Sequence, residues 1–325
     1  MIVIRLVDLE MTAKSWMGLV SAVADDSSTI ESLLLESQSD YKVVLNQVYV
    51  FDKFKDEFVA IPNRFVTGRE INNSLDNWEV VKERYNIEQN ERILSRAFKL
   101  AAKSGGSAKV LGCGSIDDGR KFFAVVNTSS MSFRCSSGRN DYIDNYIVVI
   151  TSHDGSLPIC YYNLDVRRET GVVYRLPDSM NAEFSIRKRH TPSEANIEEE
   201  VAEALDMRLR WTKHLSETIK ELFRPLNSVQ VKDFLETVWP TSTASTEKRR
   251  EHAEAVHDRI QELLSASHNH GCFGHCAWSM FNAASEYIDF YRDIPNLEAS
   301  QHMLELDNYS HRIKTKIAAH LLSIT

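Results

Sequence analysis

The sequence predicts an α+β fold, with a mixed or antiparallel β-sheet and a packed helix in residues 1–190 and an acidic helical region in residues 191–325. Two observations support this prediction. Short β-branched and aromatic runs, separated by turn residues, fill the chain between residues 41 and 190. Beyond residue 191, apolar residues recur at the spacing of amphipathic helices.

Six segments of the first part have the composition of strands. The turn Asp117-Asp118-Gly119 lies between two apolar runs, so we predict a β-hairpin over residues 110–127. One helix interrupts the strands, because the apolar residues of 93–101 share one helical face and Gly105 follows as a C-terminal cap. The predicted strands are residues 41–51, 121–127, 142–151, 158–166, 172–176 and 183–190.

The change to helix near residue 190 has its own start signal. Thr191 and Glu194 have the spacing of a capping box, and Pro192 suits the first helical position. A long helix is expected to follow and to end before Pro225. Further helices are predicted over residues 228–238, 246–265, 277–293 and 298–325.

The composition, with 43% hydrophobic and 26% charged residues, is that of an ordinary globular protein. No stretch reaches the roughly 18 consecutive apolar residues that span a bilayer. The odd number of mostly scattered cysteines fits reduced thiols better than a disulfide framework. We therefore expect a cytoplasmic protein without membrane contacts.

The net charge of −8 is unevenly distributed along the chain. Residues 191–325 contain 14 basic and 21 acidic residues, a net charge of −7, which leaves −1 for residues 1–190. Phosphate contacts need local positive charge. A nucleic-acid surface is therefore expected in the first part of the chain.

The predicted strand 183–190 ends in a basic cluster. Because side chains alternate along a strand, Arg187 and Arg189 share a face about 6.6 Å apart, a spacing suited to the phosphates of an extended single strand. Lys188 lies between them. The alternative interpretation is a solvated sheet edge that charge protects from aggregation. Further candidates for DNA contacts are Arg167, Arg168, Arg175 and the aromatic Tyr162.

Two other segments resemble catalytic or phosphate-binding motifs. Ser152, His153 and Asp154 are adjacent, whereas the members of a catalytic triad usually come from distant parts of the chain, which favours a turn. The Gly-rich stretch 103–109 follows a helix and lacks the Gly-Lys-Ser/Thr ending of a phosphate loop. It is typical of a helix C-terminus. We predict no catalytic residue and no cofactor from these segments.

Histidines and cysteines cluster between two predicted helices. Thiolate and imidazole are preferred zinc ligands, so a zinc-dependent enzyme is one hypothesis for this cluster. The spacing fits no standard zinc signature, and two of the residues are adjacent, which favours an interhelical loop and a helix N-terminus. The four candidate ligands are His270, Cys272, His275 and Cys276.

Several segments, taken in order, resemble the phage and plasmid proteins of domain of unknown function 932. The resemblance covers about residues 41–293. The matching pieces are Tyr85-Asn-Ile-Glu-Gln-Asn90, the hairpin around Asp118-Gly119-Arg120, Ser152-His-Asp-Gly-Ser156, Ile186 to Thr191, and Trp278 with Asn282, Ala283, Glu286, Tyr287 and Asp289.

The resemblance implies a phage or plasmid setting, and hence a host cytoplasm. A small sheet with a basic strand in that setting looks like the single-strand annealing recombinases of phages. Our leading hypothesis is therefore a non-enzymatic homo-oligomer that lays single-stranded DNA along the basic strand for recombination. A rival hypothesis is an interaction or anti-defence protein, which binds a host or phage protein through its acidic helices.

Overall fold

The protein has an α+β fold, as predicted from the sequence, and the strands of both sheets described below pair in antiparallel fashion. The structure is a computed structural model, and the element bounds below are those of its described residues. These are residues 16–71, 74–106, 108–134, 140–177, 183–190, 196–270, 274–292 and 309–324.

The main sheet is antiparallel, and in the described residues it has seven strands in the order β1-β5-β6-β7-β8-β10, with β9 paired to β8. The predicted hairpin is confirmed, because Ile116 pairs with Lys121 and the turn residues Asp117, Asp118 and Gly119 have positive φ. The strands are β1 (Ala22–Val23), β5 (Lys109–Ile116), β6 (Lys121–Arg134), β7 (Asn140–Ser152), β8 (Ile159–Arg167), β9 (Val173–Tyr174) and β10 (Ser185–Lys188).

A second antiparallel sheet is formed by β2 (Val43–Asp52), β3 (Glu57–Ile71) and β4 (Ser74–Lys82), in that order. The sequence indicated β2 but not β3 or β4, because these strands expose residues on both faces and lack a clear alternation. Strand β4 ends opposite Arg64 of β3. Beyond that point β2 and β3 continue as a two-stranded hairpin, residues 48–63, which we call the arm.

The sequence did not predict the helix Ile30–Glu36, whereas the other helices lie within or close to their predicted ranges. The predicted capping box at Thr191 and the predicted helical residues 298–308 lie outside the described residues. The long helix is capped by the Asn196 side chain, which accepts from the Glu198 amide. Gly105 caps the helix that precedes it, as predicted. The helices are α1 (Ile30–Glu36), α2 (Asn90–Ser104), α3 (Ile197–Leu222), α4 (Ser228–Val238), α5 (Glu247–Ser265), α6 (Ala277–Glu286), continued by a π-helical turn (Tyr287–Tyr291), and α7 (Tyr309–Ser323).

Helices cover both faces of the main sheet. On β6, Phe122 and Ala124 belong to the hydrophobic cluster that α1 and α2 complete, whereas Phe123 and Val125 belong to the cluster that α4 to α7 complete. Helix α3 contributes to both clusters, since Met207 belongs to the first and Trp211 to the second. The strand-rich and helical parts of the chain therefore share their hydrophobic cores. No helix in the described ranges is both long and apolar enough to cross a membrane.

Candidate nucleic-acid interface

The basic end of β10 lies at the margin of the main sheet. Arg187 and Arg189 are exposed, while Ile186 is buried. Arg187 lies opposite Cys160 of β8, and β10 is the last strand in the sheet order. Within the described residues, neither guanidinium group forms an ion pair. Both groups are therefore available to an anion from solution.

Two other predicted DNA contacts are on the surface but already have acidic partners. The Lys188 ammonium donates to the Glu203 carboxylate of α3 at 2.7 Å. The Arg168 guanidinium binds Asp144, with Nε 3.0 Å from Oδ2, and lies over the Tyr142 ring. A phosphate would have to compete with these carboxylates.

Arg167 is fully buried and holds parts of the fold together. Its Nε donates to Asp141 at 2.8 Å, and its Nη1 donates to the Asn269 side chain at 2.5 Å. Its Nη2 also donates to the carbonyl oxygen of His268. The prediction of a phosphate contact at Arg167 is thus corrected, because no solvent-borne ligand reaches this side chain.

Arg175 and Tyr162 are also in the interior. The Arg175 guanidinium lies 6.0 Å from the centre of the Tyr162 ring and donates to the carbonyl oxygen of Asn163 at 3.4 Å. Their burial corrects the prediction that they contact DNA. The sequence could not show that these residues are buried and Arg187 is exposed, since a strand pattern does not indicate which parts of a strand the helices cover.

The segment Tyr85–Asn90, which the sequence marked only as a family motif, joins the two sheets to α2. The Gln89 side chain hydrogen-bonds both backbone groups of Val43. Its Oε1 accepts from the Val43 amide at 3.1 Å, and its Nε2 donates to the Val43 carbonyl oxygen at 2.9 Å. Asn90 Oδ1 lies 2.8 Å from His153 Nε2, and the Asn90 amide donates to the carbonyl oxygen of Ser39 at 2.8 Å. The Tyr85 hydroxyl donates to the carbonyl oxygen of Ser152 at 2.9 Å. The motif therefore fixes the second sheet against the end of the main sheet.

The predicted turn after β7 is confirmed, and its histidine has a role that the sequence did not indicate. Asp154 caps the turn through the Ser156 amide, and Gly155 has a φ of 78°. His153 is fully buried and stacks on Trp78 with 5.7 Å between ring centres. Burial, with a further contribution from His190, lowers the pKa of His153 to about 4. The ring is therefore neutral near pH 7.

Three further exposed cations lie where the two sheets meet, and sequence reasoning missed them. Arg64 pairs with Lys82 across β3 and β4, so their side chains share a face. Arg84 is two residues from Asn86, whose amide donates to the carbonyl oxygen of His190 at 3.2 Å. Arg189 directly precedes that histidine. The basic strip, as we call this set, consists of Arg187, Arg189, Arg84, Lys82 and Arg64.

The predicted zinc ligands are arranged around the start of α6. The rings of His270 and His275 lie 4.6 Å apart, whereas Cys276 is buried and caps α6 by accepting from the Ser279 amide at 3.4 Å. Cys272 lies outside the described residues. No cluster of three or more possible ligands with a metal-binding arrangement occurs among the residues that the structure describes.

The motif residues of α6 and the following π-helical turn attach the helices to the sheet. Asn282 accepts from the Tyr174 hydroxyl of β9 at 2.6 Å, and Glu286 accepts from the Asn269 amide at 3.2 Å. Asp289 accepts from the Val173 amide at 3.0 Å and pairs with Lys314. Burial lowers the pKa of Lys314 to about 8, although the Asp289 carboxylate opposes that shift. These polar side chains therefore have structural partners in the interior.

A family model described as "Domain of unknown function (DUF932)" matches residues 77–308. The chain belongs to this family. The family predicted from the motifs is thus confirmed, and the match includes Tyr85–Asn90, β10 and the α6 residues, whereas β2 and β3 precede it. No curated protein and no solved structure matches the chain. The DUF932 match therefore gives membership without an activity.

We expect Arg167→Met to lower the free energy of unfolding by about 3–5 kcal/mol, because it leaves the buried Asp141 carboxylate without its cation. Arg187→Met is the matched control and should change stability by less than about 0.5 kcal/mol, because Arg187 is exposed. Urea denaturation measures both values. Equal effects would contradict the assignment of Arg167 to the interior.

We also expect acid to destabilise the protein through His153. An unfolded histidine binds a proton below a pKa of about 6.5, but the folded His153 does so only near pH 4. Stability is therefore lost as the pH falls from about 6.5 to 4, with a slope of up to about 1.4 kcal/mol per pH unit. The pKa of His190 is also lowered by burial and acts in the same direction.

The variant His153→Gln should have a shallower dependence of unfolding free energy on pH across this range, because it removes the titrating group. The exposed His252 of α5 provides the control His252→Gln, which should follow the wild-type profile. Urea denaturation at a series of pH values gives the three curves. Parallel curves for wild type and His153→Gln would rule out His153 as the source of the acid sensitivity.

Proposed function

We propose that this protein is a non-enzymatic single-stranded-DNA-binding protein that holds the DNA backbone on the basic strip, as an annealing protein in recombination would. The observation that supports the proposal is the exposure of Arg187 and Arg189 without carboxylate partners in the described residues, beside the further exposed cations Arg84, Lys82 and Arg64. Local positive charge of this kind attracts a polyanion although the net charge of the chain is −8.

The proposed mechanism requires only charge neutralisation. Exposed arginines and lysines replace the counterions of the phosphates, and release of those counterions favours binding at low salt. Backbone-directed contacts leave the base edges free to pair with a complementary strand. The residues involved therefore act as binding residues, and the proposed reaction involves no nucleotide hydrolysis.

The annealing role and the phage or plasmid setting come from the resemblance described above and belong to this proposal. Arg187 and Arg189 are the central phosphate contacts. Lys188 and Arg168 are secondary, because each must first leave a carboxylate, Glu203 and Asp144 respectively. Exposed ion pairs are worth little in free energy, so a phosphate can displace them at modest cost.

Charge reversal at Arg187 and Arg189 tests the proposal. The double variant Arg187→Glu with Arg189→Glu should bind a labelled oligothymidylate at least about tenfold more weakly at low salt, because two phosphate contacts become repulsive. Neutralising the same arginines with Gln should lower the dependence of log K on log[salt] by about 1.4, at roughly 0.7 for each lost phosphate contact on a single strand. Fluorescence anisotropy measures both quantities.

The control is Lys232→Glu with Lys248→Glu, which changes the net charge equally but lies on exposed positions of α4 and α5. This control should retain most of the wild-type affinity. Absence of binding by the wild type at micromolar protein and low salt would overturn the proposal. Recovery of a specific host or phage protein by the same sample would then favour the interaction-protein hypothesis.

Arg64, Lys82 and Arg84, which the sequence analysis did not identify, give a separate prediction. Arg64→Glu with Lys82→Glu and Arg84→Glu should weaken oligothymidylate binding at least about tenfold, because these groups extend the phosphate-binding surface beyond β10. Circular dichroism checks that the variant keeps its fold. Wild-type affinity in this variant would limit the phosphate contacts to Arg187 and Arg189.

A further inference from the structure

The arm projects beyond the last residue of β4, so its two strands have no third strand beside them within the described part of the second sheet. Within the arm, Phe51 pairs with Phe58 and Tyr49 pairs with Ala60. Directly opposed residues of an antiparallel pair share a face, so these four side chains form one continuous apolar surface. The rings of Phe51 and Phe58 contact each other edge to face, with 5.3 Å between their centres. We call this surface the aromatic face of the arm.

The aromatic face is open to solvent. Tyr49 is 57% exposed, Phe51 49% and Phe58 72%, and Phe54 in the turn is 89% exposed. The opposite side of the arm also exposes the cross-strand pair of Val50 and Val59. A two-stranded hairpin is at best marginally stable in water, and three strands or a packing partner are needed for independent stability. A partner that packs against the arm would therefore stabilise it.

The size of the surface fits a protein partner. An aromatic residue buries about 150–250 Å², so the exposed parts of Tyr49, Phe51, Phe54 and Phe58 together present on the order of 500 Å². The largest apolar patch on a typical monomeric protein is about 300–600 Å² and is often functional. A standard protein interface covers about 800 Å² on each partner. The aromatic face with the adjoining turn supplies most of that area.

The charges of the arm favour a second copy over a nucleic acid. The arm, residues 48–63, contains Asp52, Asp56 and Glu57 against Lys53 and Lys55, a net charge of −1. This sign does not attract a polyanion. In a two-fold arrangement, where the same patch serves both subunits, the lysines of one turn can face the carboxylates of the other.

We infer that the arms of two copies of this chain pack against each other through their aromatic faces and form a two-fold symmetric dimer. The ring pair Phe51 and Phe58, together with Tyr49, is the centre of the contact. The two turns form its charged rim. Aromatic residues buried at the centre of an interface commonly carry most of its binding free energy. The inference is independent of the basic strip, since it uses none of the strip residues.

Sedimentation equilibrium of the full chain, from low micromolar to several hundred micromolar, tests the dimer. Wild type should show a reversible monomer–dimer equilibrium. The variant Tyr49→Ser with Phe58→Ser should raise the dissociation constant at least about thirtyfold, as expected when two central aromatic anchors are removed. The control Leu35→Ser with Leu209→Ser removes two exposed apolar side chains outside the arm and should dimerise like the wild type.

Hydrogen exchange gives a second measurement that does not depend on variants. Pairing of two arms should suppress opening of the hairpin, so amides of residues 48–60 should exchange more slowly at high than at low concentration of the wild type. A wild type that stays monomeric over the whole range would overturn the inference. So would a dimer that Tyr49→Ser with Phe58→Ser leaves unchanged.

The oligothymidylate titration of the same variants separates this inference from the proposed function. Variants of the arm should lose dimerisation, and the isolated monomer should keep its contacts through Arg187 and Arg189. A monomeric wild type whose DNA binding is abolished by Tyr49→Ser with Phe58→Ser would instead identify the aromatic face as a base-stacking surface, and would overturn the dimer.

Discussion

Burial of the main sheet on both faces is the constraint from which most of this structure follows. Helices α1 and α2 cover one face and helices α4 to α7 cover the other, while α3 contributes to both sides. Polar groups enclosed in this way must find partners inside the protein, since an unpaired buried charge costs several kcal/mol. Asp165 is an example, because its carboxylate accepts from Arg208 at 3.0 Å and from the Trp211 indole at 2.5 Å. Arg167 and Asp141 meet the same requirement.

The segments that resemble the DUF932 family supply polar partners of the kind that this constraint requires. Gln89 and Asn90 connect the second sheet and the His153 turn to the start of α2. Asn282 and Asp289 connect the helices to β9. In both places a side chain hydrogen-bonds a backbone group at the end of a strand or in a short strand, namely Val43 of β2 and Val173 of β9. Residues that carry the resemblance to the family thus join the layers of this protein.

The surface offers two features of different chemistry, which suit different partners. The basic strip presents cations without acidic partners in the described ranges, a property that favours phosphates. The arm presents aromatic rings beside a turn of mixed charge, a property that favours a second apolar surface. The arm also precedes the segment matched by the family model, whereas four of the five strip residues, all but Arg64, lie within it. Membership of the family therefore does not imply a partner for the arm.

Local sequence determined many of the helices and strands of this protein, and tertiary packing determined which of its residues remain accessible. The hairpin at Asp117–Gly119 and the helix α4 have the predicted positions, because turn chemistry and helical periodicity are local properties. Strands β3 and β4 have no comparable pattern, since much of both their faces is exposed. Arg167 and Arg187 look alike in sequence, yet one is enclosed by Asp141 and Asn269 and the other is exposed. That difference depends on a contact between residues more than a hundred positions apart, which no local pattern records.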